Sequence, residues 1–277
     1  MARPAADAGG GLTTRVLSAL VMAPVALAAV YFGFPYFDIL ITVAAGILAW
    51  EWVRLCGDGN NGPVLWLSMA AAIAAVDAAS LQYVGVSFVI LAAAVPVAWL
   101  IATASGGLLR DRRWWLIAGI PYVGIPCVAA VWLRADPDNG LIWIVWLFLI
   151  IWAADIGAYV FGRLIGGPKL APRLSPNKTW AGFVGAVLCA GAGGAVIGGV
   201  VDASGLLALA LISAVLGAVE QGGDLVESAI KRHFGTKDFS NLIPGHGGLF
   251  DRVDGLIVAL AVTALIAWVG TGKVAIW

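Results

Sequence analysis

Gly140-Leu-Ile-Trp-Ile-Val-Trp-Leu-Phe-Leu-Ile-Ile-Trp-Ala-Ala-Asp155 carries no charge until its last residue, and the apolar run continues to 161. A helix needs roughly 20 such residues to cross a hydrocarbon layer, so 140–161 reads as a membrane span. Similar runs occupy 16–34, 36–55, 64–82, 84–104, 114–133, 179–201, 204–222 and 255–272. Gly, Pro, Asp and Asn cluster between several of them, at 33–35, 57–63, 136–140 and 202–205. The expected fold is all-α: a polytopic integral membrane protein of about nine transmembrane helices.

Composition supports the same class. Of 277 residues, 61% are apolar and 12% charged, against about 25% charged in an ordinary soluble domain. That excludes a disordered chain, a secreted disulfide scaffold and an ordinary cytosolic enzyme. Cys56, Cys127 and Cys189 are far apart and form no metal or disulfide pattern. Net charge is zero, so only the distribution of charge is informative. With nine spans and the N-terminus inside, Arg134 and Lys273 alone face outward, leaving 14 of the 16 basic residues inside. Basic residues are retained on the cytoplasmic side, so the N-terminus is expected inside and the C-terminus outside. Residues 1–12 read as a flexible tail, 13–135 as N-terminal transmembrane helices, and 136–277 as a C-terminal region holding a cytoplasmic segment at 224–254.

Two windows carry the chemistry. In the first, Asp155 ends or interrupts an apolar span, where an ionisable group is costly unless paired or wet. It is either a ligand or cation partner at the interface, or a helix-end carboxylate paired with Arg163 or another base. Ser175-Pro-Asn-Lys178 is expected to open the next helix, with Ser175 as N-cap and Pro176 at the first position. Lys178 would then sit near a helix N-terminus, where anions bind well.

The second window is denser. If 220–232 is helical, Asp224, Ser228 and Lys231 share one face, with Glu220 one turn earlier. A carboxylate, a hydroxyl and an ammonium group on one face suit a site for phosphate and Mg²⁺. Asp251 and Asp254 can share a second helix face. Between the two faces, Pro244-Gly-His-Gly-Gly248 cannot be regular helix. It is either a plain re-entry turn or one that offers backbone N–H groups to an anion.

Ser228-Ala-Ile-Lys-Arg-His-Phe-Gly-Thr-Lys-Asp238, followed by Pro244-Gly-His-Gly-Gly-Leu-Phe-Asp-Arg-Val-Asp254, resembles the signature of the phosphatidate cytidylyltransferases, or CDP-diacylglycerol synthases. The segment from Asp155 to Lys178 is similar to a second recurring stretch of that family. Arg15-Val-Leu-Ser-Ala and Ala49-Trp-Glu-Trp52 are similar too, with less specificity. The resemblance implies the reaction of CTP with phosphatidate to give CDP-diacylglycerol and pyrophosphate. It further implies Mg²⁺, with a metal pair, and a homodimer in the plasma membrane whose active site faces the cytoplasm. Asp224 and Asp251 match the metal-binding aspartates. With Lys231 they form the expected catalytic set. Asp155, Arg163, Lys178, Ser228, Arg232, Lys237, His246 and Arg252 are the expected substrate contacts, and no nucleic-acid partner is expected. The alternatives are a cytidylyltransferase or kinase for another membrane lipid, and an ion-coupled transporter using Glu51, Asp155 and Glu220.

Overall fold

A computed structural model describes residues 12–59, 61–201, 203 and 205–269. The expected tail lies, up to residue 11, outside the described residues, as do Arg3 and Lys273 of the charge count. The helices are α1 (Leu12–Phe32), α2 (Tyr36–Cys56), α3 (Pro63–Ser80), α4 (Val84–Ser105), the single turn α5 (Gly107–Asp111), α6 (Arg113–Arg134), α7 (Gly140–Leu164), α8 (Trp180–Val200), α9 (Leu206–His233) and α10 (Phe250–Val269). Eight of them, α2–α4 and α6–α10, are long and apolar enough to cross a membrane. The remaining expected span coincides with α1, which is 21 residues long and apolar over Leu20–Phe32. Large apolar side chains such as Leu100, Leu188, Val196 and Val200 are exposed, as a lipid-facing surface requires.

Contacts between helix ends sort the loops into two ends. At one end Arg134 Nε donates to Val30 O at 2.8 Å, and Ser80 donates to Asp38. At the other, Arg112 Nη1 donates to Cys56 O at 3.1 Å, and Lys178 pairs with Asp224 at 2.5 Å. Both charged windows of the sequence thus share one end.

Two bundles make the scaffold. α2, α3, α4 and α6 pack around Leu48, Trp52, Val64, Leu116 and Val123. α7, α8 and α9 pack around Trp146, Leu147, Ile150, Leu209 and Leu216. α10 lies against both α6 and α9. In lipid, association rests on close packing more than on escape from water. A Cβ on Gly157 of α7 would stand 2.5 Å from Gly185 O of α8, and one on Gly217 of α9 would stand 2.6 Å from Ala190 Cβ. Glycine at these places lets three backbones approach, at a propensity cost that the membrane context tolerates.

Two expectations change. Ser175 does not cap α8. Residues Ser175–Thr179 form strand β2, paired antiparallel with β1 (Lys169–Ala171) in a small hairpin. Thr179 is the cap, its Oγ1 accepting from Gly182 N at 3.1 Å. Extended backbone at Thr179 places that hydroxyl over the free N–H groups of the first turn, which Ser175 is too far upstream to reach. The last two apolar runs are also longer as helices than as hydropathy: α9 continues to His233 and α10 begins at Phe250. Their polar ends face each other, so hydropathy alone truncates them.

Candidate active site

The polar ends of α9 and α10 build the site, with α7 and the β2–α8 junction on one side and α2 and α6 on the other. All three ion pairs among the described residues lie here. Asp224 and Glu227 are one turn apart on α9. With Asp254 of α10 they bring one carboxylate oxygen each within 4.8 Å of one another. Glu227 is 1% exposed as a side chain, and its Oε1 has no hydrogen-bond partner among the described residues. A buried carboxylate oxygen left unsatisfied beside two more carboxylates is the donor set of a hard divalent cation. The residues therefore fit a hard divalent cation such as the one the resemblance implies.

Two ammonium groups flank the cluster. Lys178 Nζ lies 2.5 Å from Asp224 Oδ2 and donates to Gln221 Oε1 at 3.0 Å. Gln221 Nε2 in turn donates to Glu220 Oε2 at 2.9 Å. Lys231 Nζ lies 2.6 Å from Glu227 Oε2 and 2.9 Å from Asp251 Oδ1. Asp155 is within electrostatic reach of Asp224 and Lys178. Six carboxylates, Asp155, Glu220, Asp224, Glu227, Asp251 and Asp254, thus surround two cations. Further positive charge is what such an arrangement attracts.

The glycine-rich turn has a different occupant from the one its composition suggests. Gly245 and Gly247 take φ of +77° and +82°, and the turn closes through Ile243 and Gly247. Its N–H groups do point at anions, but the anions are the chain's own carboxylates. Asp251 Oδ2 accepts from Phe239 N at 3.0 Å and Gly248 N at 2.8 Å. Glu51 of α2 accepts from Leu249 N at 2.9 Å, Phe250 N at 2.8 Å and Ser240 Oγ at 2.6 Å. Phe239 and Phe250 stack at 4.4 Å and lean on Trp52.

The expected residues divide accordingly. Asp224, Lys178, Lys231, Asp251 and Ser228 come together, Ser228 Oγ lying 3.5 Å from Asp224 Oδ1. Asp224 and Asp251 do not share a cluster: Asp224 groups with Glu227 and Asp254, while Asp251 is engaged by Lys231 and the loop. Arg163 donates to Tyr159 Oη at 2.6 Å rather than pairing with Asp155. Arg232, Lys237 and Arg252 are exposed at the same end, and His246 is half-buried within the turn. Glu227 was not expected as a site residue, and Glu51 only under the transporter alternative. The spacing of Glu227 from Asp224 and Lys231, three and four positions, was the available signal for the first.

The fold and the site define a helical membrane-protein class with a carboxylate cluster and two lysines at one end. A family model described as the cytidylyltransferase family matches residues 13–269. The chain belongs to the cytidylyltransferase family. It is 37% identical to a phosphatidate cytidylyltransferase of Brucella suis over 260 residues, 92% of each chain. A Brucella melitensis protein of the same name is 36% identical over the same length. One from Staphylococcus saprophyticus is 44% identical over 145 residues, 52% of this chain and 55% of that one.

Proposed function

We propose that this chain is a phosphatidate cytidylyltransferase, converting CTP and phosphatidate to CDP-diacylglycerol and pyrophosphate. The observation that carries the reading is the Asp224, Glu227 and Asp254 cluster set between Lys178 and Lys231 at one end of a membrane bundle. CTP is water-soluble and phosphatidate is held in the bilayer, so the reaction needs a polar site at a membrane boundary. A phosphatidate oxygen attacks the α-phosphorus of CTP. The bond from that phosphorus to the bridging oxygen breaks, and pyrophosphate leaves with the electron pair. Such transfer requires positioning and charge neutralisation, without a protein nucleophile.

Asp224, Glu227 and Asp254 would hold Mg²⁺, which when bound neutralises phosphate oxygens. Lys178 and Lys231 fix the carboxylates and present positive charge beside them. Arg232, Lys237 and Arg252, exposed at the same end, receive the triphosphate. Asp155, Arg163, Ser228 and His246 border the substrates. The site faces the cytoplasm of a plasma-membrane homodimer, with the N-terminus inside and the C-terminus outside; the bias of basic residues supports that orientation. Residues 13–135 brace a catalytic region spanning 136–277.

The test is purified protein with labelled CTP, phosphatidate and Mg²⁺, reading lipid-extractable nucleotide. Asp224→Asn, Glu227→Gln and Asp254→Asn should each lower the rate by about 100-fold or more. Pairs of these changes should be little worse than one alone, since they act on one unit. A wild-type chain that labels no lipid would reject the activity. A single variant with near-normal rate at limiting Mg²⁺ would remove that residue from the cluster.

A further inference from the structure

Glu51 is a carboxylate on α2, in the N-terminal bundle, with no surface exposed to solvent. A buried carboxylate is costly unless it is paired or fully hydrogen-bonded. Among the described residues it makes no ion pair. Its donors all come from the far part of the chain: Ser240 Oγ and Leu249 N to Oε1, and Phe250 N to Oε2. Gly248 wraps the same group, and a Cβ there would stand 2.5 Å from Oε1. The next residue on α2, Trp52, packs on Phe239 and Phe250. One turn of α2 therefore grips both the glycine-rich turn and the first residue of α10.

The first turn of α10 also carries the chemistry. Asp251 and Asp254 come one and four positions after Phe250. Asp251 holds Lys231, and Lys231 holds Glu227 of the cation cluster. A shift of the α10 head reaches the cluster along two routes: directly through Asp254, and through Asp251, Lys231 and Glu227. We infer that Glu51 is a positioning residue for nucleotidyl transfer, fixing the head of α10 so that Asp254 meets Asp224 and Glu227 in cation-binding register. The inference rests on the proposed activity for its kinetic part and on the loop geometry for the rest.

Glu51→Gln tests it. A glutamine keeps the shape but replaces one acceptor by an N–H₂ donor, which must face either Phe250 N–H or the Ser240 and Leu249 donors. Hydrogen exchange should then quicken by about tenfold or more in the amides of 239–250, with α3 and α8 unchanged. In the transfer assay, kcat should fall by about tenfold, and the Mg²⁺ concentration giving half-maximal rate should rise by about threefold or more. A merely structural role would reduce the folded fraction and leave the Mg²⁺ dependence of the remainder as in wild type, and that result overturns the inference. So does wild-type exchange across 239–250. If Glu51→Gln does not accumulate, Ser240→Ala, which removes one of the three bonds, carries the same two measurements with smaller expected shifts, and wild-type values for both overturn it. Failure of the wild-type chain to label lipid would reject the activity while leaving the exchange result standing.

Discussion

Replacing Lys231 with Met separates the charge role of this lysine from any contact with substrate. Its ammonium group lies 2.6 Å from Glu227 Oε2 and 2.9 Å from Asp251 Oδ1. Both carboxylates lose a counter-ion in Lys231→Met, but unequally. Asp251 keeps the N–H groups of Phe239 and Gly248. Glu227, 1% exposed, keeps no hydrogen-bond donor among the described residues. Breaking a buried ion pair by removing one partner costs about 3–5 kcal/mol. Lys231 is 15% exposed, so water reaches the pair and the lower figure, about 3 kcal/mol, applies. At about 2–4 °C per kcal/mol for a chain of this size, the unfolding midpoint in detergent should fall by roughly 6–12 °C. Mg²⁺ should return part of the loss, because a cation on Glu227 replaces the missing charge. Adding Glu227→Gln removes the stranded charge and should restore most of the midpoint without restoring transfer. If Lys231→Met/Glu227→Gln melts no higher than Lys231→Met, the loss has another source and the reasoning fails.

Gly157→Ala should destabilise by about 1–3 kcal/mol, because its new methyl group meets Gly185 O and Cys189; an unchanged melting midpoint would contradict the close α7–α8 contact. Single cysteines at Lys169 or Asn241 should react with an impermeant maleimide only in inverted vesicles, and those at Gln82 or Asp138 only in intact cells. Cys56 and Cys127 are buried and give little background. Reversed labelling would overturn the orientation, and labelling of all four from one side would overturn the sorting of the loops into two ends.

The spans were legible because a membrane asks one thing of about 20 consecutive residues, and runs such as 84–104 and 140–161 answer it locally. The ends of α9 and α10 were less so, since helix continues where hydropathy stops. The carboxylate cluster was half legible. Asp224 stood out, but Asp251 and Asp254, three apart, point about 60° from each other around a helix. That angle is enough to send one to Lys231 and the loop and the other to Asp224 and Glu227. The glycine-rich turn gave its chemistry, N–H groups offered to anions, without its partner. Glu51 lies 199 positions from Phe250, and no local pattern connects them. The Ser175 cap failed for a related reason: Thr179, four residues later, offers the same hydroxyl, and the pairing of β2 with β1 decides between them.

The distance along the chain between α2 and α10 has a consequence for biosynthesis. At about 5–20 residues per second, the 199 positions between Glu51 and Phe250 take roughly 10–40 s to synthesise. During that interval α2 waits with a carboxylate whose three donors have not yet been made. The first bundle likewise lacks Phe239 and Phe250, which complete its aromatic cluster. A ribosome that stops before α10 leaves Asp224 and Glu227 on a finished α9 with no Asp254 opposite them. Chains stopped at that point therefore carry the α9 carboxylate pair without its third member from α10.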